Sequence, residues 1–194
     1  MHIPNNNKTR CAWVGDDPLM KDYHDTEWGV PLHTDNSLFE LLILEGFQAG
    51  LSWSTILKKR DAFNHAFDGF DPQKIARYNQ KKIDVLMQDK TIIRNTLKIT
   101  AAIQNAQAFL NIQDEFKTFD AYIWQFVDYT PVINAFEHVT EIPSTTPVSV
   151  TMSRDLKKRG CKFVGPIICY SFMQAAGMVN DHTVDCFRYE QVQE

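Results

Sequence analysis

Apolar residues recur along this chain at intervals of three and four, the period of an α-helix with one buried face. Leu38, Leu41 and Leu42 share such a face seven, four and three residues before Glu45, and Thr34 and Asp35 offer N-caps for their helix. Asp17-Pro18 begins an earlier helix, because proline suits the first helical position. Behind a candidate cap at Ser52, Trp53, Ile56, Leu57, Phe63 and Phe67 keep helical spacing. One helix is therefore expected there, with Lys58-Lys59-Arg60 on a solvated face. Asp71-Pro72 opens a short helix through Tyr78, and Ile83, Leu86 and Met87 mark another. After a polar break at 88–91, Ile92, Thr96, Ile99, Ile103, Ala106 and Leu110 define a long amphipathic helix carrying Arg94 and Lys98. Thr118 or Asp120 caps the helix of Ile123, Trp124 and Val127, which stops before Pro131. A further helix runs to Gly160, a C-terminal stop. Gly165-Pro166 then opens an almost wholly apolar run to Ala176, expected as a central buried helix. No strand alternation is convincing. The pattern predicts an all-α fold: a polar tail at 1–9, then a single domain over 10–190.

Glu45 breaks the rule that its stripe obeys. A carboxylate on an inward face costs several kcal/mol to desolvate unless it is paired. One reading is a core residue tied to a backbone amide or an Arg. The other begins from its neighbours. Gly46 and Gly50 bracket a tight connection, and Trp53 opens the next helix. Trp13, Tyr23 and Trp28 crowd the first part of the chain. Such aromatics commonly fill a core, but around a half-buried carboxylate they suit a flat cationic ligand, held by its faces and by one edge.

Composition narrows the field modestly. With 194 residues, 44% of them hydrophobic, the chain can bury a real core. The polar start lacks the apolar stretch of a signal peptide, and no run reaches the ~20 residues of a membrane span. A cytoplasmic protein is expected, with its 4 Cys reduced or metal-bound. The net charge of -4 argues against global attraction to nucleic acid, so DNA binding would need a local basic patch.

Cys11 and His24 near one end, with His182 and Cys186 near the other, form a candidate zinc set. Four protein ligands would make the metal structural, tying the chain ends together. Cys161 and Cys169 lie in apolar surroundings and read as buried small hydrophobes. The short helix, polar break and long helix from Lys81 to about Leu110 outline a hairpin that can offer backbone amides to phosphate. An ordinary helical pair is the other reading.

Several stretches carry a resemblance. Arg10-Cys11-Ala12-Trp13-Val14, Tyr23-His24-Asp25-Thr26-Glu27-Trp28-Gly29, Leu44-Glu45-Gly46, Gln48-Ala49-Gly50-Leu51-Ser52-Trp53, and Lys157-Lys158-Arg159-Gly160 through Asn180-Asp181-His182 resemble the bacterial 3-methyladenine DNA glycosylase I family in order and spacing. The resemblance implies a helix-hairpin-helix DNA glycosylase fold with one structural Zn2+ on Cys11, His24, His182 and Cys186. It implies a base pocket of Tyr23, Trp28, Glu45 and Trp53, with Trp13 nearby, and Glu45 as the catalytic candidate. The implied activity is monofunctional: hydrolysis of the N-glycosidic bond of N3-methyladenine in double-stranded alkylated DNA, without strand cleavage. The free base is released and an abasic site remains. Leu51 is the expected wedge, with Arg94 and Lys98 as DNA contacts, in a monomer.

The chain departs from the family pattern at three places. Lys90-Thr91 stands where an Ala-Gly pair is usual, Met20 replaces an aromatic, and Asp185 replaces a small residue. A catalytically weak damage-binding protein with the same pocket is the nearest alternative. A zinc deaminase would need an open metal position with His-x-Glu and Cys-x2-Cys, which this chain lacks. A zinc-stapled interaction domain is the non-enzymatic option.

Overall fold

The computed structural model describes residues 8–193; most of the expected tail lies outside the described residues. The helices are α1 (Pro18–Thr26), α2 (Asp35–Gln48), α3 (Trp53–Leu57), α4 (Arg60–Ala66), α5 (Pro72–Ile75), α6 (Gln80–Gln88), α7 (Thr96–Phe116), α8 (Phe119–Trp124), α9 (Pro147–Lys158), α10 (Pro166–Ala175) and α11 (Arg188–Gln191). Local chemistry starts most of them where expected. Asp17 accepts from the Leu19 amide, Ser52 from Thr55, Asp71 from Gln73 and Lys74, and Thr118 from Ala121. Each such cap is worth about 1 kcal/mol.

Helix α2 is the centre of the molecule. It is buried continuously from Leu41 to Phe47 and packs against α3, α7, α8 and α10. Phe39 meets Phe109 at 4.8 Å, and Phe47 meets Phe63 at 4.7 Å. Asp35 does not cap its own helix. Its carboxylate instead accepts from the amides of Phe119 and Asp120, so it caps α8 from outside.

The expected helix across Trp53–Phe67 is two helices. Lys59 leaves helical geometry between them, and the basic triplet is pinned rather than solvated. Lys58 pairs with Asp17 at 2.8 Å, Lys59 donates to the Thr91 carbonyl at 2.7 Å, and Arg60 bridges Glu27 and Glu40. These tertiary partners outweigh the periodic pattern. The long helix starts at Thr96, capped by Asn95, and runs on to Phe116. Ile92 is buried in the preceding turn, and Arg94 lies in that turn, not on the helix. No left-handed residue occurs between α6 and α7. The turn therefore needs no glycine; Asp89 organises it by accepting from the amide and hydroxyl of Thr91.

One feature escaped the periodic pattern. Two-residue strands, β1 (Val132–Ile133) and β2 (Val179–Asn180), pair in parallel, too short to show alternation. They anchor the segment leading to His182. The Phe187 amide donates to the Thr9 carbonyl at 3.0 Å, so the two ends of the domain meet.

Candidate functional site

The four residues chosen for metal chemistry converge. Cys11, His24, His182 and Cys186 are all buried, with one ligand atom from each within 4.8 Å of the others. Cys11 Sγ lies 3.5 Å from His182 Nδ1, and Cys186 Sγ lies 3.4 Å from His24 Nε2 and 3.5 Å from His182 Nδ1. The outward ring nitrogens are also engaged. His24 Nδ1 is 2.9 Å from Asp25, whose carboxylate holds Arg10, and His182 Nε2 is 3.1 Å from the Trp28 carbonyl. Cys186 is held toward the thiolate by hydrogen bonds from Cys11 and the two imidazoles. Gly29 is required here, because a Cβ at that position would stand 2.9 Å from His182 Nε2. The group can hold a metal ion.

Directly beside it opens a cavity of about 330 Å³. Trp13, Tyr23, Trp28, Glu45 and Trp53 all line it, as does Met20. Trp13 meets Trp28 edge-on at 4.9 Å, and Trp28 in turn stands edge-on to His182 at 4.7 Å. The metal-type cluster therefore backs one wall of the cavity. Tyr23 and Trp53 form another wall at 5.4 Å.

Glu45 is 2% exposed, and its Oε2 has no hydrogen-bond partner among the described residues. The core reading, a carboxyl tied to an Arg or a backbone amide, finds no such bond to Glu45 among the described residues. Burial alone pushes its pKa up to about 8. The Tyr23 hydroxyl stays protonated, raised by burial and then by the Glu45 charge. Trp53 Nε1 is also buried, with no hydrogen-bond partner among the described residues. An orphan acceptor and an orphan donor thus belong to residues lining one cavity, and buried polar atoms are rarely left so. A neighbouring cavity of about 220 Å³ shares Tyr23 and Trp53, but there Arg60 and Glu27 satisfy each other at 2.7 Å. Of the two, the Glu45 cavity is the one lined by both residues with these unpartnered buried atoms, which Arg60 and Glu27 do not satisfy.

Tyr170, Ser171 and Gln174 of α10 line the same cavity and were missed by the sequence reading. Their spacing puts them on one helical face, a polar stripe inside a run read as apolar. Asp181 holds two of them, accepting from Tyr170 at 2.7 Å and Gln174 at 2.8 Å.

The expected DNA contacts divide. Leu51 is 41% exposed and follows Gly50, whose φ of 79° favours glycine. Arg94 is exposed. Lys98 is not available to phosphate: it is 8% exposed, and its ammonium donates to the Phe47 and Ala49 carbonyls at 2.8 and 2.7 Å. Arg159 is likewise engaged, with Glu115 and Asp155, leaving Lys157 and Lys158 exposed.

Residues 13–189 match the family model described as methyladenine glycosylase. The DNA-3-methyladenine glycosylase 1 of Escherichia coli (strain K12) is 49% identical over 180 residues, covering 93% of this chain and 96% of its own. A crystal structure of 3-methyladenine DNA glycosylase I is similar with a TM-score of 0.90 at 49% identity, covering 92% of this chain and 98% of that one. A 3-methyladenine DNA glycosylase I from Staphylococcus aureus, solved to explain its recognition of 3-methyladenine, is similar with a TM-score of 0.89 at 38% identity, over 92% and 95% of the two chains.

Proposed function

The chain belongs to the methyladenine glycosylase family, and from that premise we propose that it hydrolyses the N-glycosidic bond of N3-methyladenine in double-stranded alkylated DNA. The observation that carries this reading is the buried Glu45 carboxyl, unpartnered among the described residues, in a cavity walled by three indoles and two phenols. N3-methyladenine in DNA is cationic, so its glycosidic bond is already weakened and the leaving group needs no general acid. The protein's work is to extract the base, hold its charge and admit water to the sugar carbon. Glu45 is the acceptor for the exocyclic amine and the counter-charge to the ring. Trp13, Trp28, Tyr23 and Trp53 offer π faces that favour a cation over neutral adenine. Incubating the protein with methylated duplex DNA and identifying the released base tests the reading. Free 3-methyladenine and intact strands bearing abasic sites are expected. Tight binding of methylated DNA with no base released would favour a damage-binding protein instead.

The Cys11, His24, His182 and Cys186 group is proposed as a structural zinc site. Zinc bonds of about 2.3 Å to sulfur and about 2.0–2.1 Å to nitrogen would separate S and N by about 3.5 Å across a tetrahedron. The observed separations of 3.4 and 3.5 Å fit that spacing. Asp25 and the Trp28 carbonyl supply the outer partners that zinc-bound imidazoles normally keep. With four protein ligands the metal would carry no chemistry.

We read α6, its turn and α7 as the helix-hairpin-helix that seats the phosphate backbone, with Lys90 and Arg94 exposed on it. Leu51 is the wedge that fills the gap left by the base. Arg94→Ala should weaken non-specific DNA binding and flatten the log–log salt slope by roughly 0.9. Unchanged affinity and slope would put the DNA face elsewhere. No helix among the described residues is long and apolar enough to cross a membrane. Cytoplasmic location and a monomeric state are part of the same proposal.

A further inference from the structure

The Leu51 loop and the α6–α7 hairpin are far apart in sequence, yet two lysines brace them against each other. Lys98, in the first turn of α7, sends its ammonium to the carbonyls of Phe47 and Ala49, at the end of α2. Lys59, between α3 and α4, runs the opposite way and donates to the Thr91 carbonyl in the hairpin turn at 2.7 Å. One brace lies just before Leu51 in sequence and the other shortly after it.

The Lys98 brace is physically demanding. The last carbonyls of a helix have no intrahelical donors and carry the negative end of its dipole, so an ammonium is favoured there. A buried ammonium is tolerated only where such acceptors are fixed in place. The desolvation also depresses the Lys98 pKa. The carbonyls it holds lie two and four residues beyond Glu45, so the brace grips the segment between the carboxylate and the wedge.

We propose that Lys98 and Lys59 are positioning residues for base extraction, locking hairpin and wedge loop into one body so that the hairpin's seat on phosphate fixes where Leu51 enters the duplex. This rests on the reading of Leu51 as wedge and of the hairpin as phosphate seat. Neither lysine lines the Glu45 cavity, and each ammonium is occupied by backbone carbonyls. Without the braces, the loop can pivot at Gly50 and the wedge loses its register. A misplacement of about 1 Å can cost on the order of a hundredfold in rate.

The test compares Lys98→Met and Lys59→Met on methylated duplex and methylated single-stranded DNA, beside the affinity for free 3-methyladenine. Lys98→Met should lower single-turnover excision from duplex by roughly ten- to a hundredfold. Excision from single strands, where no stacked gap must be held open, should change little, as should free-base affinity and the salt slope of DNA binding. Lys59→Met, at a more accessible site, should show the same duplex-selective loss to a smaller extent. Equal losses on both substrates would make Lys98 a support of the pocket alone and overturn the proposal. A salt slope flattened by roughly 0.9 would return Lys98 to phosphate contact and overturn it too. If Lys98→Met does not fold, Lys59→Met decides, and an unchanged duplex rate there defeats the proposal. Leu51→Ala separates the premise from the inference. A normal duplex rate in Leu51→Ala removes the wedge. A slow Leu51→Ala beside a normal Lys98→Met removes only the brace.

Discussion

Cys186→Ser is expected to abolish metal binding and to lower the melting temperature by on the order of 10 °C. The protein purified without chelator should hold one zinc, and the variant close to none. Metal binding acts as folding energy when the site forms only in the folded chain, and structural zinc sites can supply about 10–16 kcal/mol in small peptides. Here a large core shares the load. A loss on the order of 4 kcal/mol, at about 2–4 °C per kcal/mol for a domain of this size, gives the expected drop. Cys11 and His24 would be tied to His182 and Cys186 across most of the chain, where the backbone bond from Phe187 to Thr9 is one further closure. The chemistry should survive at low temperature, because no ligand position is left open to substrate. Binding of free 3-methyladenine should weaken modestly, since Trp28 rests on His182 by both ring and carbonyl. Absence of zinc in the parent protein, or an unchanged melting temperature in Cys186→Ser, would overturn the metal assignment.

The same cluster shows what a sequence makes legible. Cysteine and histidine at the chain ends identify themselves by type, but their spacing says nothing about whether the ends meet. The contacts that bring them together include a parallel pair of two-residue strands, too short to leave a pattern. Helix α2 was legible because apolar residues dominate it from Leu38 to Phe47, and Glu45 stood out as a carboxylate inside that run. The aromatic set was legible because indoles and phenols combine an apolar body with a polar tip.

What failed to show in the sequence depended on long side chains reaching distant partners. Lys98 has the appearance of a surface cation on an amphipathic helix, and only the structure reveals two carbonyls of another helix waiting for it. The Lys58-Lys59-Arg60 triplet looks solvated, yet four separate tertiary partners hold it and break a helix that periodicity favours. The polar face of α10 was hidden for a different reason. Tyr170, Ser171 and Gln174 lie within a run whose average is so apolar that the helical phase of its few polar residues does not stand out.

Glu45→Gln is expected to slow excision by roughly ten- to over a hundredfold under single-turnover conditions while raising thermal stability. The amide keeps size and one acceptor oxygen, so the base still binds; the charge that favours a cation is lost, at about 1.5–3 kcal/mol for a charge-assisted bond. The effect must depend on pH. Burial lifts the Glu45 pKa from the ordinary 4.5 to about 8, so the empty pocket at pH 7 holds a mostly protonated acid. About one molecule in ten is then ready to receive the cation, each pKa unit being about 1.4 kcal/mol. For the parent, kcat/KM should climb with pH and level off above about 8, because it reports ionisations of the free enzyme. Glu45→Gln should lack that rise, so the ratio of parent to variant widens by about tenfold between pH 7 and pH 9. Stability moves the opposite way. The folded state holds a proton that the unfolded chain releases above pH 4.5, so the parent loses stability as pH rises from about 4.5 to about 8. The loss is at most about 1.4 kcal/mol per pH unit. Glu45→Gln escapes it and should melt above the parent, with the gap growing until about pH 8 and constant beyond. Melting curves and base release measured on one preparation at pH 6, 7, 8 and 9 decide the matter: a variant that is less stable yet fully active at every pH would remove Glu45 from the site.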